Sequence, residues 1–171
     1  APNTAVMLVQ DVSGSMSGYP IQLASQALYA AALAMEGIEG IDVAAMAFPG
    51  NGKVLGFGES PRTQQAKFQL TAWGGTPMAD AVLVASQALL GQLNARRLMI
   101  VLTDGAPDSY PETQSMIASA EASGIEVYGV GICTNAVQGL FTRWTQVDDI
   151  SELPARLVSL VRDEVMLSMA A

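Results

Sequence analysis

The chain contains no histidine and a single cysteine among its 171 residues. Without an imidazole, no Ser-His-Asp or Cys-His arrangement for nucleophilic catalysis can form within it. Zinc loses its commonest nitrogen ligand, and Cys133 alone cannot replace several thiolates. Any metal held here must be held by oxygen. One cysteine also rules out an internal disulfide, which favours a reducing compartment and a cytoplasmic location. Positive charge is scarce too. Eight Lys and Arg stand against sixteen Asp and Glu, a net charge of -8 with no basic stripe. That argues against nucleic acid as a partner, because neutralising phosphates needs clustered Lys and Arg. The longest apolar run, Ala27 to Met35, falls far short of the ~20 residues a membrane span needs, so no membrane partner is expected. No secretory signal is visible, and a start at Ala1 without an initiator Met points to a domain cut from a longer chain.

What is present is apolar and regularly interrupted. Half of the residues are hydrophobic and 14% are charged, a composition expected of one well-buried α/β domain spanning residues 1–171. Val6–Val9, Asp42–Phe48, Leu98–Leu102, Val127–Ile132 and the short Trp144–Val147 read as strands. Lys53–Phe57 reads as an edge strand reached through Pro49-Gly50-Asn51-Gly52. Between them lie helical patterns at Pro20–Met35, Met78–Leu93 and Glu112–Ser123, and a last one at Ser151–Met169. The first carries Leu23, Ala27, Ala30, Ala31 and Ala34 on one face. The last keeps the helical period with Leu153, Leu157, Leu160, Val161 and Val165. Strands that are apolar throughout imply a doubly wound, mostly parallel sheet with helices on both faces and one antiparallel edge strand.

Three segments place oxygen donors at strand or helix ends. Asp11-Val12-Ser13-Gly14-Ser15 directly follows an apolar run that reads as a buried strand, and side chains two apart in extended backbone point the same way. Gly74-Gly75-Thr76-Pro77 and Leu102-Thr103-Asp104-Gly105 supply the rest. Each has a plainer reading by itself. Ser13 and Ser15 sit in a turn where hydroxyls cap amides, Thr76-Pro77 suits a helix start, and Asp104-Gly105 is an ordinary turn. Their coincidence at one sheet edge favours a site for a hard cation, Mg²⁺ or Mn²⁺.

In that order, Asp-x-Ser-x-Ser, Gly-Gly-Thr-Pro and Thr-Asp-Gly resemble the metal-ion-dependent adhesion site of von Willebrand factor A domains, over nearly the whole chain. The resemblance implies that Ser13, Ser15 and Thr76 ligate through hydroxyls and that Asp11 and Asp104 supply carboxylates, often through water. Ser15-Met16-Ser17-Gly18-Tyr19-Pro20-Ile21, the stretch Leu98 to Pro107 and the tail from Val127 through Leu153 are similar to the A domain of the cobaltochelatase T subunit. The Gly-Gly-Thr-Pro loop is more typical of A domains generally, including those encoded with MoxR-type ATPases. The acidic linker that precedes the domain in chelatase subunits is absent from this sequence.

The functional expectation is a non-enzymatic binding module whose cation is completed by an Asp or Glu of a partner protein. By the narrower resemblance the partner machinery includes a AAA+ ATPase. The alternative is a phosphotransfer or phosphohydrolase domain using Asp11 or Asp104. It lacks a lysine after a core strand at the carboxyl edge, where developing phosphoryl charge would need one. Met16 also occupies the nucleophile position of the Gly-x-Ser-x-Gly pattern at Gly14–Gly18, which argues against a serine hydrolase. Trp73, Asp108, Tyr110 and Glu112 are read as neighbours of the site, with packing of Trp73 on the next helix an equal expectation. Cys133 and most of the nine methionines are read as packing residues.

Overall fold

The first strand, β1 (Thr4–Asp11), is buried along its whole length because it lies in the middle of the sheet. The computed structural model describes residues 3–170, with side chains as far as Met166. The ends of the 1–171 domain reading and the Met169 side chain lie outside the described residues. β1 pairs in parallel with β2 (Ile41–Phe48) on one side and β4 (Arg96–Thr103) on the other. β5 (Ile125–Ile132) and β6 (Arg143–Val147) continue the parallel sheet outward. β3 (Gly52–Leu55) runs antiparallel to β2 at the opposite edge, giving the order β3-β2-β1-β4-β5-β6. The edge strand ends before Gly56 and Phe57, which the sequence pattern had included. Glu59 accepts the Gly56 N–H, drawing that amide away from the ladder.

Alternation along β1 sorts its residues between two cores. Val6 and Leu8 face α1 (Tyr19–Glu36) and α5 (Leu153–Ala170), while Ala5, Met7 and Val9 face α2 (Met78–Leu90) and α3 (Tyr110–Ala122). A short helix, α4 (Ala136–Leu140), joins the second layer and had no counterpart in the pattern, being too brief to show a period. In α1 the buried stripe is Leu23, Ala24, Ala27, Leu28, Ala31, Ala32 and Met35, with Ala30 and Ala34 at its margin. In α5 the expected Leu153, Leu157, Val161 and Val165 are buried, and Leu160 packs against them partly exposed.

Helix ends follow local chemistry more closely than hydrophobic period. α2 stops at Leu90 because Gly91 caps it, leaving Leu93 98% exposed beyond the end. α3 starts ahead of the expected Glu112, since the Ser109 hydroxyl accepts the Glu112 N–H and Pro111 fits the first turn. Ser151 lies in a 3₁₀ turn (Ile150–Glu152) capped by Asp149, so α5 proper begins at Leu153.

At the amino edge of the sheet, four charges tie α5 to the strands. Arg96 of β4 donates to Glu126 of β5 at 2.5 Å and to the buried Glu164 of α5 at 3.3 Å. Arg143 of β6 reaches the same two carboxylates, and Arg96 also donates to the Glu164 carbonyl. Among the described residues no helix is long and apolar enough to cross a membrane.

Candidate metal centre at the carboxyl edge

From β1 the chain turns outward to β2 and β3, then crosses back through α2 to enter β4 on β1's other side. The carboxyl ends of β1 and β4 therefore flank the topological switch point, where an open α/β sheet leaves a crevice. Asp11 is the last residue of β1 and Asp104 the first after β4. The register pairs Gln10 with Leu102, which sets Asp11 beside Thr103. Both continue the alternate series that faces α2 and α3.

Asp11 is fully buried. One of its oxygens accepts the Ser13 N–H at 2.7 Å, the other the Thr103 hydroxyl at 2.8 Å. These partners are neutral, and no Lys or Arg pairs with it among the described residues. Burial pushes its carboxyl above the ordinary value of 3.8, hydrogen bonds from Ser13 and Thr103 pull it back, and the nearby Asp104 charge raises it further. The half-buried Asp104 carboxylate makes no hydrogen bond or ion pair among the described residues.

The three hydroxyls do not act as helix caps. Ser13 and Ser15 lie 3.2 Å apart, oxygen to oxygen, and neither caps the 3₁₀ turn Gly14–Met16. Pro77, rather than Thr76, is the residue preceding α2, which has no side-chain cap, and the Thr76 hydroxyl has no hydrogen-bond partner among the described residues. The capping readings of Ser13, Ser15 and Thr76 are therefore not what the structure shows.

Backbone hydrogen bonds draw the three segments together. Gly14 N–H donates to the Gly74 carbonyl at 2.9 Å and Trp73 N–H to the Val12 carbonyl at 2.8 Å. Asp108 accepts the Thr76 N–H at 2.9 Å and returns its own N–H to the Thr76 carbonyl at 2.9 Å. Gly75 permits this approach, since a Cβ there would come within 3.1 Å of the Asp108 carboxylate. All five expected residues thus lie at the carboxyl ends of β1 and β4 or in the segments beside them, at one edge of the sheet.

The donor set suits a hard cation. Two carboxylates and three hydroxyls offer only oxygen. Among the described residues no three His, Cys, Asp or Glu side chains gather as metal holders, so the hydroxyls are indispensable to any such site. The buried Asp11, with its uncompensated charge beside Asp104, is an anionic environment that a divalent ion would neutralise.

Some positions differ from expectation or escaped it. Thr103 entered only as part of the Thr-Asp-Gly string, yet it holds Asp11 directly. Asp108, expected only as a neighbour of the site, clamps the Thr76 loop; no local spacing could reveal a contact between residues so far apart in sequence. Gln10 is fully buried, donates to the Asp11 carbonyl at 2.9 Å and leaves its own side-chain oxygen without a partner. Cys133 is exposed rather than buried, because it lies past the end of β5 in left-handed backbone (φ 54°), with its thiol directed to the Asp148 carbonyl. Trp73 does not pack on α2. It is 55% exposed and lies over Gly50 of the β2–β3 turn.

Comparison with known structures gives the same architecture. The pilus adhesin SpaC of Lactobacillus rhamnosus GG superposes with a TM-score of 0.81 at 17% identity, over 96% of this chain and 31% of that one. A von Willebrand factor type A protein from Catenulispora acidiphila gives 0.79 at 19% identity, over 94% of this chain and 42% of that one. The vWF domain of the type V pili tip protein Mfa5 from Porphyromonas gingivalis gives 0.79 at 12% identity, over 96% of both chains. This chain spans about a third of the pilus adhesin's length. No curated protein matches it. The family model of the von Willebrand factor type A domain matches residues 5–164, from the first core residues of β1 through most of α5. With sheet order, switch point and sequence model in agreement, the chain belongs to the von Willebrand factor type A domain family.

Proposed function

We propose that this domain is a metal-dependent protein-interaction module rather than an enzyme. Ser13, Ser15, Thr76, Asp11 and Asp104 would hold Mg²⁺ or Mn²⁺, and an exposed Asp or Glu of a partner protein would complete the site. The observation that carries this reading is Asp11, a fully buried carboxylate whose partners are neutral and whose nearest charge is another carboxylate. When bound, the cation supplies positive charge and a coordination position for an incoming carboxylate. The chain's residues do the rest. Ser13 N–H and the Thr103 hydroxyl orient Asp11, and Asp108 positions the Thr76 loop. Docking onto pilus-type partners has no direct support, because likeness at this identity carries the fold alone. The motif resemblance favours an adaptor role beside a chelatase- or MoxR-type AAA+ ATPase in the cytoplasm.

Phosphoryl transfer at Asp11 or Asp104 has less support. Both Asp11 oxygens already accept hydrogen bonds. Lys53, on the edge strand, bridges to Glu59 at 3.3 Å, and Lys67 lies in the 3₁₀ turn Gln65–Phe68, so neither stands by the crevice. The test is calorimetric titration of Mg²⁺ into wild type and Asp104→Ala. One-site binding that is lost in the variant, with an unchanged circular dichroism spectrum, supports the reading. Equal affinity in both overturns it.

A further inference from the structure

We infer that the carboxylate completing this site belongs to a partner segment that is otherwise basic. The inference rests on the metal-docking reading above and concerns what surrounds the docked acid.

The edge carries two kinds of unsatisfied surface. Three aromatic side chains stand out from it: Tyr19 at 58% exposure, Trp73 at 55% and Tyr110 at 39%. Tyr19 opens α1 just after the Asp11–Ser15 loop, Trp73 precedes Gly74 and Thr76, and Tyr110 opens α3 just after Asp108. The second kind is negative charge. Asp80 in the first turn of α2, Asp108, and Glu112 in the first turn of α3 are all exposed, and none has a cationic partner among the described residues. Asp80 and Glu112 complement the helix dipoles, but a partial dipole charge does not neutralise a full carboxylate.

Six of the eight Lys and Arg are engaged elsewhere, Arg156 with Glu152 among them, and the other two, Lys67 in the 3₁₀ turn Gln65–Phe68 and Arg162 in α5, pair with none of these carboxylates among the described residues. Arg96 and Arg143 lie at the amino ends of β4 and β6 with Glu126 and Glu164. Arg97 donates to the carbonyls of Leu89 and Gln92. Arg62 pairs with Glu36 and Lys53 with Glu59. The rim is left negative around a position meant to receive a negative group.

That conflict selects the partner. A lone acid in an acidic or neutral segment meets repulsion from the rim before it reaches the centre. Lys or Arg on either side of the acid reverses the sign of the encounter and pairs with the exposed carboxylates. Arg also stacks on exposed Tyr and Trp faces. Such rim pairs act mainly on the association rate and fade with salt. A second copy of this chain is disfavoured as occupant, since its own edge carries the same charges.

The test uses four synthetic peptides of one length against the Mg²⁺-loaded chain, at low and high salt and again in EDTA. They present Asp between Lys and Arg, Asp between Gly and Ser, Asp between Glu residues, and Asn between Lys and Arg. The basic Asp peptide is expected to bind about tenfold tighter than the neutral one at low salt. The gap should narrow at high salt and shrink in an Asp80→Asn, Glu112→Gln double variant that melts like wild type. Neutral or acidic Asp peptides binding as tightly as the basic one would overturn the inference and leave metal docking intact. Basic peptides binding alike with Asn, or alike in EDTA, would overturn metal docking itself.

Discussion

Asp108 and Thr76 hold each other by two hydrogen bonds of 2.9 Å running in opposite directions, from the Thr76 N–H to the Asp108 carboxylate and from the Asp108 N–H to the Thr76 carbonyl. The pair couples the loop before α2 to the loop before α3, and so fixes Thr76 relative to Asp104. Removing the side chain deletes the first of these bonds and leaves the backbone bond, loosening the Thr76 loop without touching the core. Asp108→Ala is therefore expected to weaken Mg²⁺ binding by about tenfold, the lower range for a residue that orients a ligand. Asp108→Asn retains an acceptor oxygen and should stay near wild type. Calorimetric titration of both variants checks this, and equal weakening would show that charge, not positioning, is the role of Asp108.

The raised Asp11 carboxyl gives a pH signature in the absence of divalent cation. Its folded value lies above its unfolded one, so between the two the folded chain binds the extra proton. Stability is then reduced above the folded value, where the buried group is ionised, and recovers as pH falls through it. Asp11→Asn removes that charge. In EDTA its melting temperature should exceed wild type's above the folded value, with the difference vanishing as pH falls below it. A difference that does not change with pH would contradict the assignment.

The amino-edge network behaves in the opposite sense. Arg96, then Arg143, hold the Glu126 carboxyl below its ordinary value of 4.5 against the opposing effect of burial. A lowered folded value contributes stability that is present above the unfolded value and lost as pH falls through the folded one. Glu126→Gln keeps the length of the side chain but removes its charge, so Arg96 and Arg143 each lose one carboxylate partner. The expected loss is about 1 kcal/mol, read by urea denaturation at neutral pH. The loss should shrink in acid, where Glu126 itself takes up a proton. A loss that is constant across this range would show that packing, not charge, carries the effect.

Removing a bound cation should lower stability only modestly, because both cores are complete without it. Excess Mg²⁺ is expected to raise the melting temperature by linkage to the folded state. Unfolding in EDTA at room temperature would contradict this.

The hydrophobic period alone determined the parallel strands, the two-sided helical cover and the α5 face of Leu153, Leu157, Val161 and Val165, because burial in a sheet core tolerates few substitutes. The five candidate ligands were legible for a related reason, as short strings that place oxygens at strand ends. Tertiary structure alone decided the clamp from Asp108 to Thr76, the support of Asp11 by Thr103, the outward placement of Trp73 and the exposure of Cys133. Each depends on segments far apart in sequence, or on one residue's backbone conformation, and neither leaves a periodic trace. The ion network of Arg96, Glu126, Arg143 and Glu164 was hidden likewise, since only the register of β4, β5 and β6 under α5 brings its charges together.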